Sequence, residues 1–361
     1  MKFNFAKVTK SRLMGSIALI VGWIDEDGKY FNQYFLLDAE GLGIADYVSI
    51  YNPTKKQAYI EEERLMGGLG SDRVRINEEE AKFLINYFGQ KNISYSKELP
   101  GEVEEYESII MNHTTSLTID DILPKVSIKI ENEIEFVNYM TMRLIARDRE
   151  SLKYYSTNEE IANMHITEIN GTLLKNRVSK KGEYKFISEA LYEDIDGYYT
   201  CRIAFSLTKD SGELKIKSLL ITDVEEMFDF EVFDEISKPE YIAIYNVDNN
   251  EIFEEKFYEE NPFTQKSFMD EGTIYTRFNF NNNHVKENVY IINNDIKSIY
   301  YIMDNLLFVA TYSDRDRMYI NKMLICNYKE YINYKEEFYF EENVLYDFAE
   351  SGSTDFEDFL E

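Results

Sequence analysis

Short apolar or alternating runs, separated by Asp-Gly and Asn-rich turns, recur along most of this 361-residue chain. Ser16–Ile24 and Tyr30–Leu37 flank Asp27-Gly28, a pair of turn residues that tolerates positive φ. The same arrangement returns at Asp196-Gly197 and at 210–212. This spacing is typical of antiparallel strands joined by hairpins. We therefore expect an α+β protein built mainly from antiparallel sheets with a few packed helices.

Two helix starts are recognisable because an Asn is followed three residues later by a Glu, the capping-box pattern. The first, at Asn77, predicts a helix over about 78–88 that Gly89 ends. The second, at Asn132, predicts an amphipathic helix through about Arg147. Strand-like runs follow it from His165 to Thr222, which predicts a helix lying across an antiparallel meander.

The region after residue 224 is rich in Ile, Tyr, Phe and Val, residues that favour strands. Residues 296–312 fit either two strands or a helix with a turn, because their apolar run has no decisive period. The other predicted strands of this region are 241–247, 252–258, 274–280, 289–292 and 319–328.

These patterns predict three domains and a tail. The predicted parts are an N-terminal α+β domain at 1–125, a helix with an antiparallel meander at 126–223, a β-rich C-terminal region at 224–340 and a disordered acidic tail at 341–361.

Charge is distributed unevenly around a formal net charge of −28. Residues 1–130 hold 20 acidic and 15 basic side chains, whereas residues 131–361 hold 47 acidic and 24 basic ones. Binding to a phosphate backbone needs clustered Lys and Arg, so direct nucleic-acid binding is disfavoured. The expected partner is a protein with a basic surface.

The apolar run Ile17–Ile24 is too short to cross a bilayer, and no small-residue cleavage site follows it. Cys201 and Cys326 stand far apart in strand-like contexts, which favours reduced core thiols. We expect a soluble, cytoplasmic protein that does not bind a membrane.

A glycine-rich segment before the first predicted helix is the clearest candidate for a ligand site. Glycines let backbone N–H groups approach an anion, and flanking guanidinium groups add charge-assisted hydrogen bonds to a phosphate or carboxylate. A turn whose arginines balance neighbouring glutamates is the alternative interpretation. The candidate ligand-binding residues are Arg64, Gly67, Gly68, Gly70, Arg73 and Arg75.

Catalytic and metal-binding patterns are absent from the sequence. His113, His165 and His284 are dispersed, without metal-ligand spacing, and no nucleophile elbow occurs. The sequence therefore predicts no catalytic residue, no metal and no cofactor, and it favours a non-enzyme.

The C-terminal tail combines spaced aromatic side chains with a surplus of carboxylates. Residues 341–361 contain eight acidic and no basic residues. An induced helix would place its apolar residues on one side, while the acidic residues would attract a basic groove. A merely solubilising tail is the alternative. The predicted partner-binding residues are Asp355, Phe356, Glu357, Asp358, Phe359 and Leu360.

Together these features favour a non-enzymatic interaction or assembly protein that presents an acidic surface and a C-terminal docking tail to a basic partner. One alternative is an enzyme or sensor that binds a small phosphorylated or carboxylated ligand at the Gly67–Gly70 loop. The other is an acidic inhibitor that imitates nucleic acid.

Overall fold

A computed structural model of the protein describes residues 1–10, 15–40, 43–66, 72–168, 171–236, 238–260, 264–278 and 296–360. The first unit is Met1–Val232, and the second contains the described residues from Phe233 onward. The predicted count of three domains is not confirmed, and the boundary near residue 125 stays a prediction. Among the described residues, no helix combines the length and apolar character that a membrane crossing requires.

The strands are β1 Lys2–Thr9, β2 Ser16–Ile24, β3 Tyr30–Asp38, β4 Gly43–Tyr51, β5 Arg73–Ile76, β6 Thr172–Gly182, β7 Lys185–Asp194, β8 Gly197–Asp210, β9 Glu213–Met227, β10 Glu240–Val247, β11 Thr264–Phe268, β12 Gly272–Phe278, β13 Ile296–Met303, β14 Leu306–Thr311 and β15 Ile332–Phe340. The α-helices are α1 Lys55–Met66, α2 Glu78–Ser94, α3 Glu107–Asn112, α4 Ile119–Ile122, α5 Glu133–Ile145, α6 Arg149–Tyr154, α7 Asp229–Ile236, α8 Asn250–Glu260, α9 Asp314–Tyr328, α10 Leu345–Glu350 and α11 Phe356–Leu360. Short 3₁₀ helices occupy Val103–Glu105, Leu123–Lys125 and Glu159–Asn163.

The N-terminal sheet has the order β4-β3-β2-β1-β5 and is antiparallel throughout. Its central strand β2 is buried on both faces, which explains the continuous apolar run of its sequence. On one face Leu19 and Val21 belong to the same core as Leu84 of α2. On the other face Ile20 packs with Leu65 of α1. The sheet is therefore the middle layer between helices.

Helix α2 begins as predicted but ends later. Asn77 and Glu80 form the complete capping box, with the Glu80 N–H donating to Asn77 Oδ1 at 2.9 Å. Gly89 is buried inside the helix, so the prediction that it ends the helix is wrong. A Cβ at Gly89 would lie 2.4 Å from Ile110 Cδ1, so the glycine permits close packing with α3.

The predicted antiparallel meander is confirmed in the sheet β6-β7-β8-β9. Helix α5 packs on this sheet, and its buried residues Phe136, Met140 and Leu144 share a core with Ile203 and Phe205 of β8. The fold is α+β with mainly antiparallel sheets.

A buried ion cluster joins the N-terminal sheet to the helices over the meander. The side chain of Arg143 in α5 is fully buried, and its Nη1 lies 3.0 Å from Glu40 Oε1 and 3.5 Å from Asp148 Oδ2. Asp148 also caps α6, because its carboxylate accepts hydrogen bonds from the N–H and hydroxyl of Ser151. Burial raises the pKa of Glu40, although the neighbouring Arg143 lowers it. Each charge in this cluster depends on the others for compensation.

The second unit is built on a six-stranded sheet of order β11-β12-β13-β14-β10-β15, in which every pairing is antiparallel. Residues 296–312 form the two strands β13 and β14, one of the two predicted alternatives. Helices α8 and α9 cover one face through Phe257 and Leu324. Helices α10 and α11 cover the other face through Phe348 and Phe356.

Two strands predicted in the second unit are wrong. Residues 252–258 belong to helix α8, and residues 319–328 belong to helix α9. Ser313 begins α9 by accepting a hydrogen bond from the Asp316 N–H. Ile320 and Leu324 are buried at a spacing of four residues, the period of one helix face. The predicted strand at 289–292 lies outside the described residues.

We expect Arg143→Met to lower the free energy of unfolding of the first unit by about 3–5 kcal/mol, because the carboxylates of Glu40 and Asp148 would lose their buried cation. Trp23 is the only tryptophan of the chain and belongs to this unit, so urea unfolding followed by its fluorescence measures the effect. Arg149→Met is the matched control, because Arg149 is exposed, and it should change stability by less than about 0.5 kcal/mol. Equal effects of the two variants would contradict the role of the cluster.

Candidate interaction surfaces

The predicted ligand site lies around a loop that the structure describes only at its two ends. Gly67, Gly68 and Gly70 are outside the described residues. Arg64 stands near the end of α1, and Arg73 and Arg75 lie on β5.

Two of the three arginines of this site are engaged by carboxylates of the same unit. Arg64 lies 2.6 Å from Glu61 and 3.1 Å from Asp46, measured between nitrogen and oxygen. Arg73 lies 3.0 Å from Glu62 and 2.7 Å from Glu63. An anionic ligand at this loop would compete with these internal anions. Arg75 is exposed on β5.

The disorder expected for residues 341–361 is not confirmed. Residues 345–350 and 356–360 form α10 and α11, which pack against the sheet of the second unit. Phe356 is 6% exposed, and its ring centroid lies 5.0 Å from that of Phe348 and 5.5 Å from that of Phe308. The segment is ordered, in contrast to the prediction, because its apolar side chains are buried on an apolar face of the sheet.

The other predicted tail residues are divided between packing, capping and solvent. Phe359 is half-buried against Phe348, whereas Leu360 is exposed. Asp355 begins α11, since its Oδ1 accepts hydrogen bonds from the N–H groups of Glu357 and Asp358. Glu357 and Asp358 keep their side chains exposed. Their partner-binding role stays a prediction, but the apolar anchor Phe356 is already buried within the chain.

Glu240 fixes the start of α10. Its carboxylate is fully buried, and Oε2 accepts hydrogen bonds from the N–H groups of Val344 at 2.7 Å and Leu345 at 2.9 Å. The first N–H groups of a helix have no partner within it, so an anion placed there satisfies them. Burial raises the pKa of Glu240, while these two amide donors lower it.

A surface that the sequence analysis missed lies on β9. This strand is covered on its outer side at Ile216, whose N–H donates to the carbonyl of Tyr155 and whose carbonyl accepts from the N–H of Thr157. From Lys217 to Met227, β9 pairs with β8 alone among the described residues. Strand edges of this kind present N–H and C=O groups that can pair with another strand. We call residues 217–231 the β9 edge.

Large apolar side chains are exposed along the β9 edge. Phe228 and Phe230 stack on each other with ring centroids 6.0 Å apart and an interplanar angle of 7°. Single exposed apolar residues are common on protein surfaces, but a group of them indicates an interaction surface. The exposed fractions are 61% for Leu220, 52% for Val224, 68% for Phe228 and 67% for Phe230.

Carboxylates accompany these apolar residues. Asp223 occupies a bulge opposite β8 with a φ of 53°, which increases the local twist of the strand. Lys217 is the only basic residue of the β9 edge. On β8, Arg202 lies 3.6 Å from Glu189 and 3.9 Å from Asp223. The acidic residues of the β9 edge are Asp223, Glu225, Glu226, Asp229 and Glu231.

Two observations bear on chemistry and kinship. Among the residues that the structure describes, no three His, Cys, Asp or Glu side chains converge in a way that could hold a metal ion. No protein-family model matches the chain, and no curated protein or solved structure was found to be similar to it.

We expect Phe356→Ala to lower the free energy of unfolding of the second unit by about 3 kcal/mol, because the cavity would leave Phe308 and Phe348 without their ring contacts. Urea unfolding measures the loss, and hydrogen exchange at residues 356–360 locates it. Leu360→Ala is the control and should cost less than about 1 kcal/mol, because Leu360 is exposed. Unchanged exchange and stability in Phe356→Ala would support the free tail that the sequence predicts.

Glu240 should also give the second unit a defined pH dependence. Its pKa is raised on folding, so the folded state holds the proton more tightly than the unfolded state. Its contribution to stability is therefore greatest below its ordinary pKa of 4.5 and declines as the pH rises through the folded-state pKa.

The test compares the wild type with Glu240→Gln, which keeps an acceptor oxygen for Val344 and Leu345 but cannot ionise. Urea unfolding of both proteins from about pH 4 to about pH 8 should show the wild type losing stability relative to the variant as pH rises. A difference that stays constant with pH, or that changes in the opposite direction, would contradict this assignment.

Proposed function

We propose that the protein is a non-enzymatic, cytoplasmic interaction protein whose β9 edge binds an extended basic segment of a protein partner. The observation that carries the proposal is the half of β9 that pairs with β8 alone among the described residues, where exposed apolar side chains stand among five carboxylates. An added strand would obtain main-chain hydrogen bonds from Lys217–Met227 and side-chain contacts from the β9 edge.

The negative charge of the β9 edge determines which kind of strand can bind there. An uncharged strand would bury or crowd the carboxylates without compensating them, and an acidic strand would be repelled. A strand that contains both basic and apolar residues would place cations near the carboxylates of the β9 edge and apolar residues near Leu220 and Val224. The same negative charge disfavours a nucleic acid as the direct partner.

The regional charge supports the same class of partner. Residues 131–361 carry most of the acidic surplus, so the attraction toward a basic protein extends beyond the β9 edge. Exposed Glu357 and Asp358 on α11 contribute to this field without Phe356 leaving its core. An acidic inhibitor that imitates nucleic acid would use the same field, and competition by duplex DNA for the partner separates that role from simple docking.

The test uses an octapeptide of alternating lysine and valine, labelled for fluorescence anisotropy, with the full-length chain. We expect binding that weakens with added salt. Glu225→Gln, Glu226→Gln and Asp229→Asn together should weaken it by about 3-fold to 150-fold, because each exposed charge pair contributes about 0.2–1 kcal/mol. Phe228→Ala with Phe230→Ala should mainly speed dissociation.

Matched variants outside the β9 edge control for nonspecific attraction. Glu159→Gln with Glu160→Gln removes exposed acidic charge elsewhere in the first unit, and Tyr95→Ala removes an exposed ring. Both should bind the octapeptide like the wild type. If the control variants lose as much affinity as the β9-edge variants, or if an octapeptide of alternating glutamate and valine binds equally well, the proposal is wrong.

A further inference from the structure

A cleft of about 550 Å³ opens on the first unit beside the only tryptophan of the chain. Trp23 of β2 and Phe31 of β3 are nearly buried, whereas the ring of Tyr51 at the end of β4 is half-exposed. Glu105, at the end of the 3₁₀ helix Val103–Glu105, lines the cleft together with Gln33. The cleft therefore combines aromatic walls with a few polar groups, the usual composition of a ligand site.

A chain of hydrogen bonds runs beneath this cleft and ends on the carboxylate of Glu105. Trp23 Nε1 donates to Gln33 Oε1 at 2.7 Å, and Gln33 Nε2 donates to the Tyr47 hydroxyl at 2.8 Å. The Tyr47 hydroxyl donates to Glu105 Oε2 at 2.6 Å. Burial raises the pKa of Tyr47, and the Glu105 carboxylate raises it further, so this phenol remains a neutral donor. The chain engages Oε2 of Glu105, whose side chain is exposed.

The acidic group in the wall of the cleft is Glu105, and Lys82 and Met1 line it as well. Lys82 lies 5.6 Å from the centre of the Trp23 ring, but its ammonium is bound to Glu78 at 2.6 Å. Among the described residues, no basic side chain forms an ion pair with Glu105. Tyr51 is oriented by a hydrogen bond from its hydroxyl to Asp25, and the ammonium of Lys29 lies 5.7 Å from the centre of its ring. An uncharged apolar ligand would leave the Glu105 carboxylate without a partner.

We propose that this cleft binds a guanidinium cation, with Tyr51 and the edges of Trp23 and Phe31 contacting the flat group and Glu105 accepting its N–H groups. Guanidinium matches both features, because it stacks on aromatic rings and its N–H groups match the geometry of a carboxylate. An alkylammonium ion has the charge but lacks the flat surface. The proposal is independent of the β9 edge.

The experiment titrates the full-length chain with N-acetylarginine amide and follows the fluorescence of Trp23. N-acetyllysine amide tests an ammonium with the same charge, and N-acetylglutamate amide tests an anion. We expect saturable binding of the arginine compound, with a dissociation constant at least about threefold lower than for the lysine compound, and no response to the glutamate compound. A short arginine-containing peptide, compared with the free compound, shows whether the cleft prefers guanidinium within a polypeptide.

Glu105→Gln is the decisive variant, because glutamine keeps an oxygen for the Tyr47 hydroxyl but removes the charge. It should bind the arginine compound about tenfold more weakly. Glu104→Gln is the matched control, since Glu104 is exposed and does not line the cleft, and it should bind like the wild type. Unfolding in urea checks that both variants are folded.

The proposal is overturned if Glu105→Gln binds as tightly as the wild type, or if the lysine and glutamate compounds give the same response as the arginine compound. The triple charge variant of the β9 edge separates this result from the proposed function. That variant should retain the response of Trp23 to the arginine compound while it loses affinity for the lysine and valine octapeptide.

Discussion

The architecture of the first unit depends on the buried charge of Arg143. Its guanidinium is fully enclosed and is compensated by Glu40, which follows β3, and by Asp148, which begins α6. One side chain therefore joins the N-terminal sheet to the helices over the meander. A buried charge without a partner costs several kcal/mol, whereas most surface ion pairs contribute less than about 1 kcal/mol. Because Arg143 is costly to separate from Glu40 and Asp148, these contacts favour keeping the N-terminal sheet and the meander in one unit. Each of the two sheets nevertheless has its own apolar core.

The second unit depends on a sheet that is apolar on both faces. Helices α8 and α9 cover one face, and the acidic segment with α10 and α11 covers the other. The many carboxylates of that segment do not prevent docking, because Leu345, Phe348 and Ala349 lie on one side of α10 while acidic residues such as Asp347 and Glu350 remain exposed. Glu240 then fixes the entry of α10 by accepting its first N–H groups. The acidic composition of residues 341–361 by itself favours a free, soluble segment. The apolar face of the sheet orders this segment because it buries the apolar side chains of α10 and α11.

Predictions from the sequence succeeded for the meander and for the starts of α2 and α5, and they failed where strand-favouring residues form helices. Helix α9 contains Tyr and Ile at two positions each, so residue preference alone suggested a strand. The spacing of four residues between Ile320 and Leu324 was the signal for a helix. At the predicted ligand site, the sequence identified the arginines. It also suggested that the neighbouring glutamates balance their positive charge. That Asp46 of β4 also contacts Arg64 required the fold. The β9 edge was missed because its pairing depends on which segments lie beside the strand.

The sequence by itself determined the features that depend on residues close together in the chain. Turn residues with positive φ define the hairpins, an Asn three residues before a Glu begins a helix, and the excess of carboxylates sets the sign of the charge. Only the tertiary structure decided which strand edge has no partner among the described residues, which arginine is buried and whether the acidic segment docks. These outcomes depend on contacts between residues far apart in the chain, such as Glu240 with Val344 and Tyr47 with Glu105. The local sequence pattern cannot specify such pairs, because these contacts form only after the elements between the two residues have packed.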